Sequence, residues 1–113
     1  MGCHRHWGIR WVDSPELLGG VDLRALENDQ VNLSYVVFPR FRRRGVARRA
    51  SVLALDYAMR TMGTGSTLIK MLPGNVSSRD LALGLGAHYL GEEPSERGAT
   101  FLVYELKLSS PKW

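Results

Sequence analysis

The chain has 113 residues and a formal net charge of +4, and 44% of its residues are hydrophobic and 23% charged. This balance is typical of a folded domain and excludes an intrinsically disordered chain. The apolar runs are far shorter than the roughly 18 residues that a membrane-spanning helix needs.

The first third of the chain alternates apolar and polar residues, a pattern typical of β-strands. Gly19 and Gly20 interrupt the second segment and predict a bulge or the close approach of another backbone. Pro39 ends the third segment, whose last residues are apolar on both faces, as in a strand near the middle of a sheet. Strands are therefore predicted over residues 6–12, 17–26 and 31–38.

The apolar period then changes to that of a helix. Val46, Ala50, Leu53 and Tyr57 fall at helical spacing, which predicts an amphipathic helix from residue 46 to about residue 61. Further on, a short helix is predicted with Ser77 or Ser78 as its cap. The later elements are strands over residues 66–72, 88–91 and 100–108, and that short helix over residues 79–85.

The order of these elements predicts an α+β fold with a mixed sheet in one domain, residues 1–113. Strands joined by short turns form an antiparallel meander, whereas the strand-helix-strand unit of residues 31–72 requires a parallel crossover. Helices are expected to cover the sheet.

Localisation is suggested by two features of the sequence. The N-terminal residues lack the apolar core and cleavage site of a secretory signal. Cys3 is the single cysteine, so no internal disulfide can form. Both features favour the reducing cytoplasm.

Positive charge is concentrated in residues 40–50, RFRRRGVARRA, which hold six of the fifteen Lys and Arg residues. The remaining nine cations face eleven anions, so the basic character is local and favours one anionic ligand or patch. The six arginines are Arg40, Arg42, Arg43, Arg44, Arg48 and Arg49.

This basic stretch lies between a buried strand end and the first turn of a helix. The backbone N–H groups at a helix N-terminus lack partners and attract phosphate. Gly45 lets the backbone turn tightly and approach a ligand, and Ala47 is the next smallest residue at the following contact. Glycine, alanine, arginines and location together predict a pyrophosphate site.

The spacing Arg42-x-x-Gly45-x-Ala47 resembles the R/Q-x-x-G-x-G/A signature of GCN5-related N-acetyltransferases (GNATs), which bind acetyl-coenzyme A at this turn. The preceding residues 35–39, YVVFP, resemble the fourth strand of the family, particularly in the branch that acetylates ribosomal-protein N-termini. Asn75-x-x-Ser78, followed by LGLGA at residues 83–87, resembles its N-x-x-S … LGF segment. The resemblance extends over residues 17–108.

The resemblance implies an acetyl transfer from acetyl-coenzyme A to a primary amine, on a protein N-terminus or a small molecule, without a metal. Backbone amides from Arg43 to Arg48 would hold the pyrophosphate, the end of the fourth strand would pair with the pantetheine arm, and Asn75 would reach the pantetheine or the thioester. The coenzyme-binding candidates are Val36, Val37, Phe38, Arg42, Arg43, Arg44, Gly45, Val46, Ala47, Arg48, Asn75 and Ser78.

The catalytic groups follow the family pattern less closely. Many members carry a tyrosine, proposed as the general acid, four residues before the glycine of LGF, and here that position is Ala82. The ribosomal-type branch implies Ser78 in this role, while a helix cap is an equally good reading of the same serine. Asp22, Glu27 and Asp29 are candidate bases near the relevant strands.

A second departure lies at the start of the chain. The family usually places one strand and two helices before the segment found here, and these elements form much of the acceptor side of the cleft. Coenzyme binding is therefore better supported than turnover. The exposed sheet edge and apolar surface favour self-association, so a homodimer is a candidate assembly.

Three other interpretations compete with an acetyltransferase. The arginine stretch could grip nucleic-acid phosphates, although it contains no motif of a known reader. A non-catalytic acyl-coenzyme A-binding or assembly module would need no acceptor site. Cys3, His4 and His6 resemble metal ligands by type, but their cluster lacks a second half.

Overall fold

A computed structural model describes residues 4–108 of the chain. It contains six strands and two helices in these residues, in an order that confirms the predicted α+β class. The elements are β1 (His4–Arg10), β2 (Leu17–Ala25), β3 (Gln30–Val37), a 3-10 turn (Pro39–Phe41), α1 (Val46–Arg60), β4 (Ser66–Met71), α2 (Val76–Leu85), β5 (His88–Pro94) and β6 (Thr100–Lys107).

The six strands form one mixed sheet in the order β1-β2-β3-β4-β6-β5. The pairs β1–β2, β2–β3, β4–β6 and β5–β6 are antiparallel. The pair β3–β4 is parallel and is joined through α1, so the predicted meander and parallel crossover are both confirmed. The described residues include no helix long and apolar enough to cross a membrane.

Both helices pack on the same face of the sheet. The cross-strand partners Leu23, Leu33, Ile69 and Tyr104 form one row, and all four belong to the core cluster that also contains the helix residue Leu55. Alanines on α1 allow the helix to approach the sheet closely, since their side chains are short. The row therefore marks the centre of the hydrophobic core.

The buried side of α1 differs from the predicted one. Leu53 is 72% exposed, whereas Leu55 is fully buried. The buried residues Val46, Ala50, Ala54 and Ala58 follow an i, i+4 row. Leu53 and Leu55 lie on opposite flanks of this row, and the flank of Leu55 faces the core. Helical spacing alone did not distinguish these two flanks.

Gly19 marks a close approach of two backbones, as one of its two sequence interpretations predicts. A Cβ atom built on Gly19 would lie 2.0 Å from the carbonyl oxygen of Val36 on β3. No side chain can be accommodated there without moving a strand. Gly19 therefore fixes β2 tightly against the end of β3.

Candidate active site

A cleft opens where β3 and β4 separate. The parallel ladder runs from Gln30–Ser66 to Leu33–Ile69 and has four pairs, while β3 continues to Val37. Beyond Leu33, the edge of β3 that faces β4 has no partner strand among the described residues. The cleft has a volume of about 630 Å³. Its lining consists of Tyr35, Val36, Val37, Phe41, Arg42, Arg43, Gly45, Val46, Ala47, Arg48, Asn75, Ser77, Ser78 and Leu81.

The N-terminus of α1 forms one wall of this cleft and has no side-chain cap. Gly45 precedes the helix in the left-handed conformation, with φ of 74°. The Arg49 N–H donates to the Gly45 carbonyl oxygen at 3.1 Å, so the amides of residues 46–48 lie before the first bonded amide of the helix. A Cβ on Gly45 would meet no atom within 4 Å. The space beside Gly45 is therefore open, and residues 46–48 line the same cleft, which suits a bound anion.

The turn between β3 and α1 is held in place by one of its own arginines. Arg42 donates from Nε to the Val37 carbonyl oxygen at 3.1 Å, and this bond ties the turn to the strand end. Arg43 adopts a left-handed conformation with φ of 64°, which is unfavourable for a residue with a Cβ. Arg40 pairs with Glu16 at 3.2 Å, so part of the arginine stretch serves the fold.

The N-terminus of α2 forms the opposite wall, and it is capped. The Ser78 backbone N–H donates to Asn75 Oδ1 at 3.2 Å. Asn75 is therefore the N-cap, and the expectation that Ser77 or Ser78 caps the helix is wrong. An amide oxygen three residues before the amide it accepts from is a favoured cap geometry. The helix consequently begins at Val76, three residues earlier than predicted.

Tyr35 connects the two walls. Its hydroxyl donates to Ser78 Oγ at 3.0 Å, so the side chain reaches from β3 to α2 across the cleft. Burial raises the pKa of Tyr35 above its ordinary value of 10.0, and the hydrogen bond with Ser78 opposes part of this rise. The phenol therefore keeps its proton at neutral pH.

The structure brings ten of the twelve predicted coenzyme-binding residues into one cleft. The two exceptions are Phe38 and Arg44. The Phe38 N–H donates to the Leu18 carbonyl oxygen at 2.8 Å, so this residue serves the contact with β2. Arg44 is exposed outside the cleft. The cleft residues that sequence reasoning missed are Tyr35, Phe41, Ser77 and Leu81.

The candidate bases lie apart from the helix-bearing side of the cleft. Asp22 is the cross-strand partner of Ser34, but its carboxylate lies on the opposite face of the sheet and bonds to His4 and His6. Partial burial tends to raise the pKa of Asp22, but bonds and charges from these two histidines outweigh it and lower the pKa. A lowered pKa makes Asp22 a weaker base.

The other two candidate bases, Glu27 and Asp29, lie in the turn before β3. Asp29 and Tyr35 are six positions apart, which corresponds to about 20 Å of extended chain. This position is at the end of β3 remote from the cleft. The structure therefore does not bring Glu27 or Asp29 to the candidate site.

The metal interpretation concerns His4 and His6, since Cys3 lies outside the described residues. Asp22 Oδ1 lies 2.5 Å from His4 Nε2 and 3.1 Å from His6 Nδ1. Within residues 4–108 no group of three or more metal-ligating side chains is arranged to hold an ion. These histidines thus contact a carboxylate on the sheet face.

A second groove of about 510 Å³ lies between β1 and α1. Its walls include Trp7, Trp11 and Tyr57, and its charged lining residues are Arg10 and Arg49. Val46 and Arg49 from the first turn of α1 line this groove, but Gly45, Ala47 and Arg48 do not. The groove therefore offers fewer free backbone amides to phosphate oxygens than the cleft between β3 and β4. The cleft between β3 and β4 is therefore the better candidate for a phosphorylated ligand.

Comparison with known proteins identifies the family and the fold. The family model "Acetyltransferase (GNAT) domain" matches residues 2–88. No curated protein matches the chain significantly. Many solved structures share the fold. One is a Vibrio cholerae protein named for ribosomal-protein-serine acetylation, with 21% identity and a TM-score of 0.81 over 92% of this chain and 64% of that one.

Two further structures show the same likeness. A mutant of the Vibrio cholerae spermidine N-acetyltransferase SpeG has 18% identity and a TM-score of 0.82, over 94% of this chain and 66% of that one. The ribosomal-protein-S5-alanine acetyltransferase of Vibrio fischeri has 17% identity and a TM-score of 0.73, over 87% and 58%. This chain spans less than two thirds of the length of each of the three.

At these identities the structural likeness concerns the fold alone, which is the mixed sheet with two helices described above. The family model extends over well more than half of the 113 residues. Its match includes the turn before α1 and the whole of α2. The chain therefore belongs to the GNAT acetyltransferase family.

Proposed function

We propose that the cleft binds acetyl-coenzyme A and that the chain transfers the acetyl group to a primary amine. The observation that carries this proposal is the meeting of an uncapped helix N-terminus and an unpaired strand edge in one cleft. The first binds phosphate oxygens and the second binds an extended amide chain. A pyrophosphate joined to pantetheine has both parts, so the residues present fit this coenzyme.

Each part of the coenzyme has its own binding residues in this proposal. The amides of Val46, Ala47 and Arg48 donate to the pyrophosphate, and the guanidinium groups of Arg43 and Arg48 add charge-assisted bonds. The backbone of Val36 and Val37 pairs with the pantetheine amides in the manner of an added strand. The coenzyme supplies an activated acetyl group, and the cleft orients it towards the inner end, where β3 and β4 meet.

The acceptor is proposed to be a primary amine because the family acts on amines. The relatives named above act on spermidine and on ribosomal proteins. The face of the sheet opposite the helices is polar at the level of Ser34, where Asp22 lies beside it. A carboxylate at this position attracts a cationic amine towards the inner end of the cleft.

A non-catalytic coenzyme-binding module is the second candidate function, since the chain spans less than two thirds of these relatives. Nucleic-acid binding has less support. Arg40 is paired with Glu16 and lies over Phe41, and Arg42 bonds to the Val37 carbonyl. Two of the six arginines are thus engaged within the fold, which weakens a phosphate-gripping surface.

Calorimetric titration separates these functions. We expect acetyl-coenzyme A to bind with micromolar affinity and a polynucleotide to bind weakly at 0.15 M salt. Coenzyme binding without release of free thiol, in the presence of spermidine or a peptide with an N-terminal alanine, would support the binding module. Absence of coenzyme binding, with strongly salt-dependent polynucleotide binding, would overturn the proposal.

A further inference from the structure

The inner end of the cleft contains one phenol, Tyr35, to which the family resemblance assigns no role. Tyr35 follows the last β3–β4 pair, Leu33–Ile69, by two residues. Its ring lies on the same face as Leu33, because alternate strand residues share a face, and it lines the cleft. An extended ligand that follows the open edge of β3 inwards reaches the side chain of Tyr35.

Other proton donors suited to a leaving thiolate are missing from the described lining of the cleft. The charged side chains there are Arg42, Arg43 and Arg48, and a guanidinium gives up its proton too reluctantly to act as an acid. Serine and asparagine side chains do not ionise near neutral pH. At the position of the usual family tyrosine, Ala82 is fully buried in the core. Tyr35 is therefore the candidate acid that the lining offers.

We propose that Tyr35 Oη donates the proton that the sulfur of coenzyme A takes up as it leaves. This inference rests on the proposed acetyl transfer. The amine nitrogen bonds to the acetyl carbon as the carbon–sulfur bond breaks. The electron pair of the carbon–sulfur bond goes to sulfur, which takes the phenolic proton. The nitrogen releases one proton to water and the phenolate regains one from water. An amine and a thioester thus become an amide and a thiol.

Ser78 acts as the positioning residue for Tyr35. In the resting arrangement the phenol donates to Ser78 Oγ at 3.0 Å, which aims the ring at α2 across the cleft. When the phenol has lost its proton, the Ser78 hydroxyl can reverse and donate to the phenolate. The bond thereby stabilises both states of Tyr35. The N–H of Ser78 is already occupied by Asn75, so the serine itself is firmly placed.

The electrostatic surroundings of Tyr35 favour an acid over a base. Its raised pKa keeps the phenol protonated at neutral pH, and burial is the main cause. The charged groups on the elements around it are Arg42 and Arg43 in the turn, Arg48 on α1, and Arg79 and Asp80 on α2.

The test compares Tyr35→Phe and Ser78→Ala with Tyr57→Phe. Tyr57 is a matched control because its hydroxyl also has a hydrogen-bond partner, Arg5 Nε at 3.1 Å, and it lies in the second groove. We expect Tyr35→Phe to lower kcat roughly 100-fold, within the usual range for loss of general acid catalysis. We expect a smaller loss for Ser78→Ala and none for Tyr57→Phe. The affinity for acetyl-coenzyme A should change less than about threefold in all three variants.

A second readout needs no turnover. Coenzyme A and desulfo-coenzyme A, which lacks the sulfur, are titrated into each variant from pH 7 to 9.5. In the wild-type protein we expect the preference for coenzyme A over desulfo-coenzyme A to increase with pH, because the Tyr35 hydroxyl donates to the thiolate. In Tyr35→Phe this increase with pH should be lost. Thermal melts check that each variant is folded.

The outcomes separate the two proposals. If the wild-type protein binds neither acetyl-coenzyme A nor coenzyme A, both the proposed function and the proposed role of Tyr35 are overturned. If the wild type binds both, but Tyr35→Phe keeps the pH-dependent preference and the turnover of the wild type, only the role of Tyr35 is overturned. A large loss in Ser78→Ala beside a normal Tyr35→Phe would assign the proton to Ser78 instead.

Discussion

The two helix N-termini that face each other across the cleft differ in whether a side chain caps their free backbone N–H groups. α2 is capped by its own chain, since Asn75 Oδ1 accepts the Ser78 N–H. α1 follows Gly45 and has no side-chain cap. A glycine at this position weakens a helix by only a few tenths of a kcal/mol relative to serine. An end left free for a ligand therefore costs little, and the pair shows which of two similar ends serves the fold and which can serve binding.

The largest expected effect is the loss of acetyl-coenzyme A affinity when the uncapped N-terminus of α1 is altered by Gly45→Asp. The new carboxylate would occupy the space in front of the amides and repel the pyrophosphate, while its charge would still suit a helix N-terminus. We expect the affinity for acetyl-coenzyme A to fall more than about 100-fold, or 2.7 kcal/mol. Isothermal titration calorimetry measures this loss.

Gly63→Asp is the matched control for that change. Gly63 has φ of 67°, and its Cβ would also meet no atom within 4 Å. Both variants thus carry the same charge change and the same conformational penalty of about 1 kcal/mol, but Gly63 follows the other end of α1. Equal losses of affinity in both variants would show that Gly45 has no local role in binding.

The next effect concerns two adjacent arginines. Arg48 lines the cleft, and its Nη1 lies 3.5 Å from where a Cβ on Gly84 of α2 would be. Arg49 lines the second groove. We expect Arg48→Ala to weaken acetyl-coenzyme A binding roughly fivefold to tenfold, as one charge-assisted bond is lost. Arg49→Ala should change it less than about twofold, and a reversed order would contradict the assignment of the cleft.

Uncapping α2 would make the two ends alike. We expect Asn75→Ala to lower the free energy of unfolding by about 1 kcal/mol, because the Ser78 amide loses its acceptor. This corresponds to a fall in Tm of roughly 4–8 °C for a domain of about 100 residues. Thermal unfolding without ligand measures it, and Ser77→Ala, whose side chain is exposed, should stay within about 0.5 kcal/mol of the wild type. A stable Asn75→Ala protein would contradict the capping role.

The smallest effect tests the free amides directly. Inorganic pyrophosphate, at millimolar concentration, is expected to shift the amide NMR signals of Val46, Ala47 and Arg48. The amide signal of Ser78 should move little, since its hydrogen bond to Asn75 is already made. Equal shifts at the two helix ends would remove the distinction between them.

Sequence reasoning found the turn at Gly45 because its signals are local. A glycine, a small residue two positions on and a change of apolar period all lie within a few residues of one another. The mixed sheet was predictable for the same reason, since strand alternation and the length of the crossover can be counted along the chain.

The roles of Asn75, Ser78 and Tyr35 were harder to predict. An asparagine three residues before a serine suits a ligand contact and a helix cap equally well, and only the backbone geometry distinguishes them. Tyr35 and Ser78 are 43 residues apart, so their hydrogen bond depends on how α2 packs beside the end of β3. Local patterns carry no information about such a contact.

The short β3–β4 ladder has a mechanical consequence. α1 packs on β2 and β3, whereas α2 packs on β4 and β6. Residues 4–60 and 66–108 therefore form two halves, which the four residue pairs of the β3–β4 ladder and the shared core hold together. A ligand lying between the β3 edge and α2 contacts both halves at once and links them. Its binding energy opposes their separation, so coenzyme should protect the connection at residues 61–65 from proteolysis.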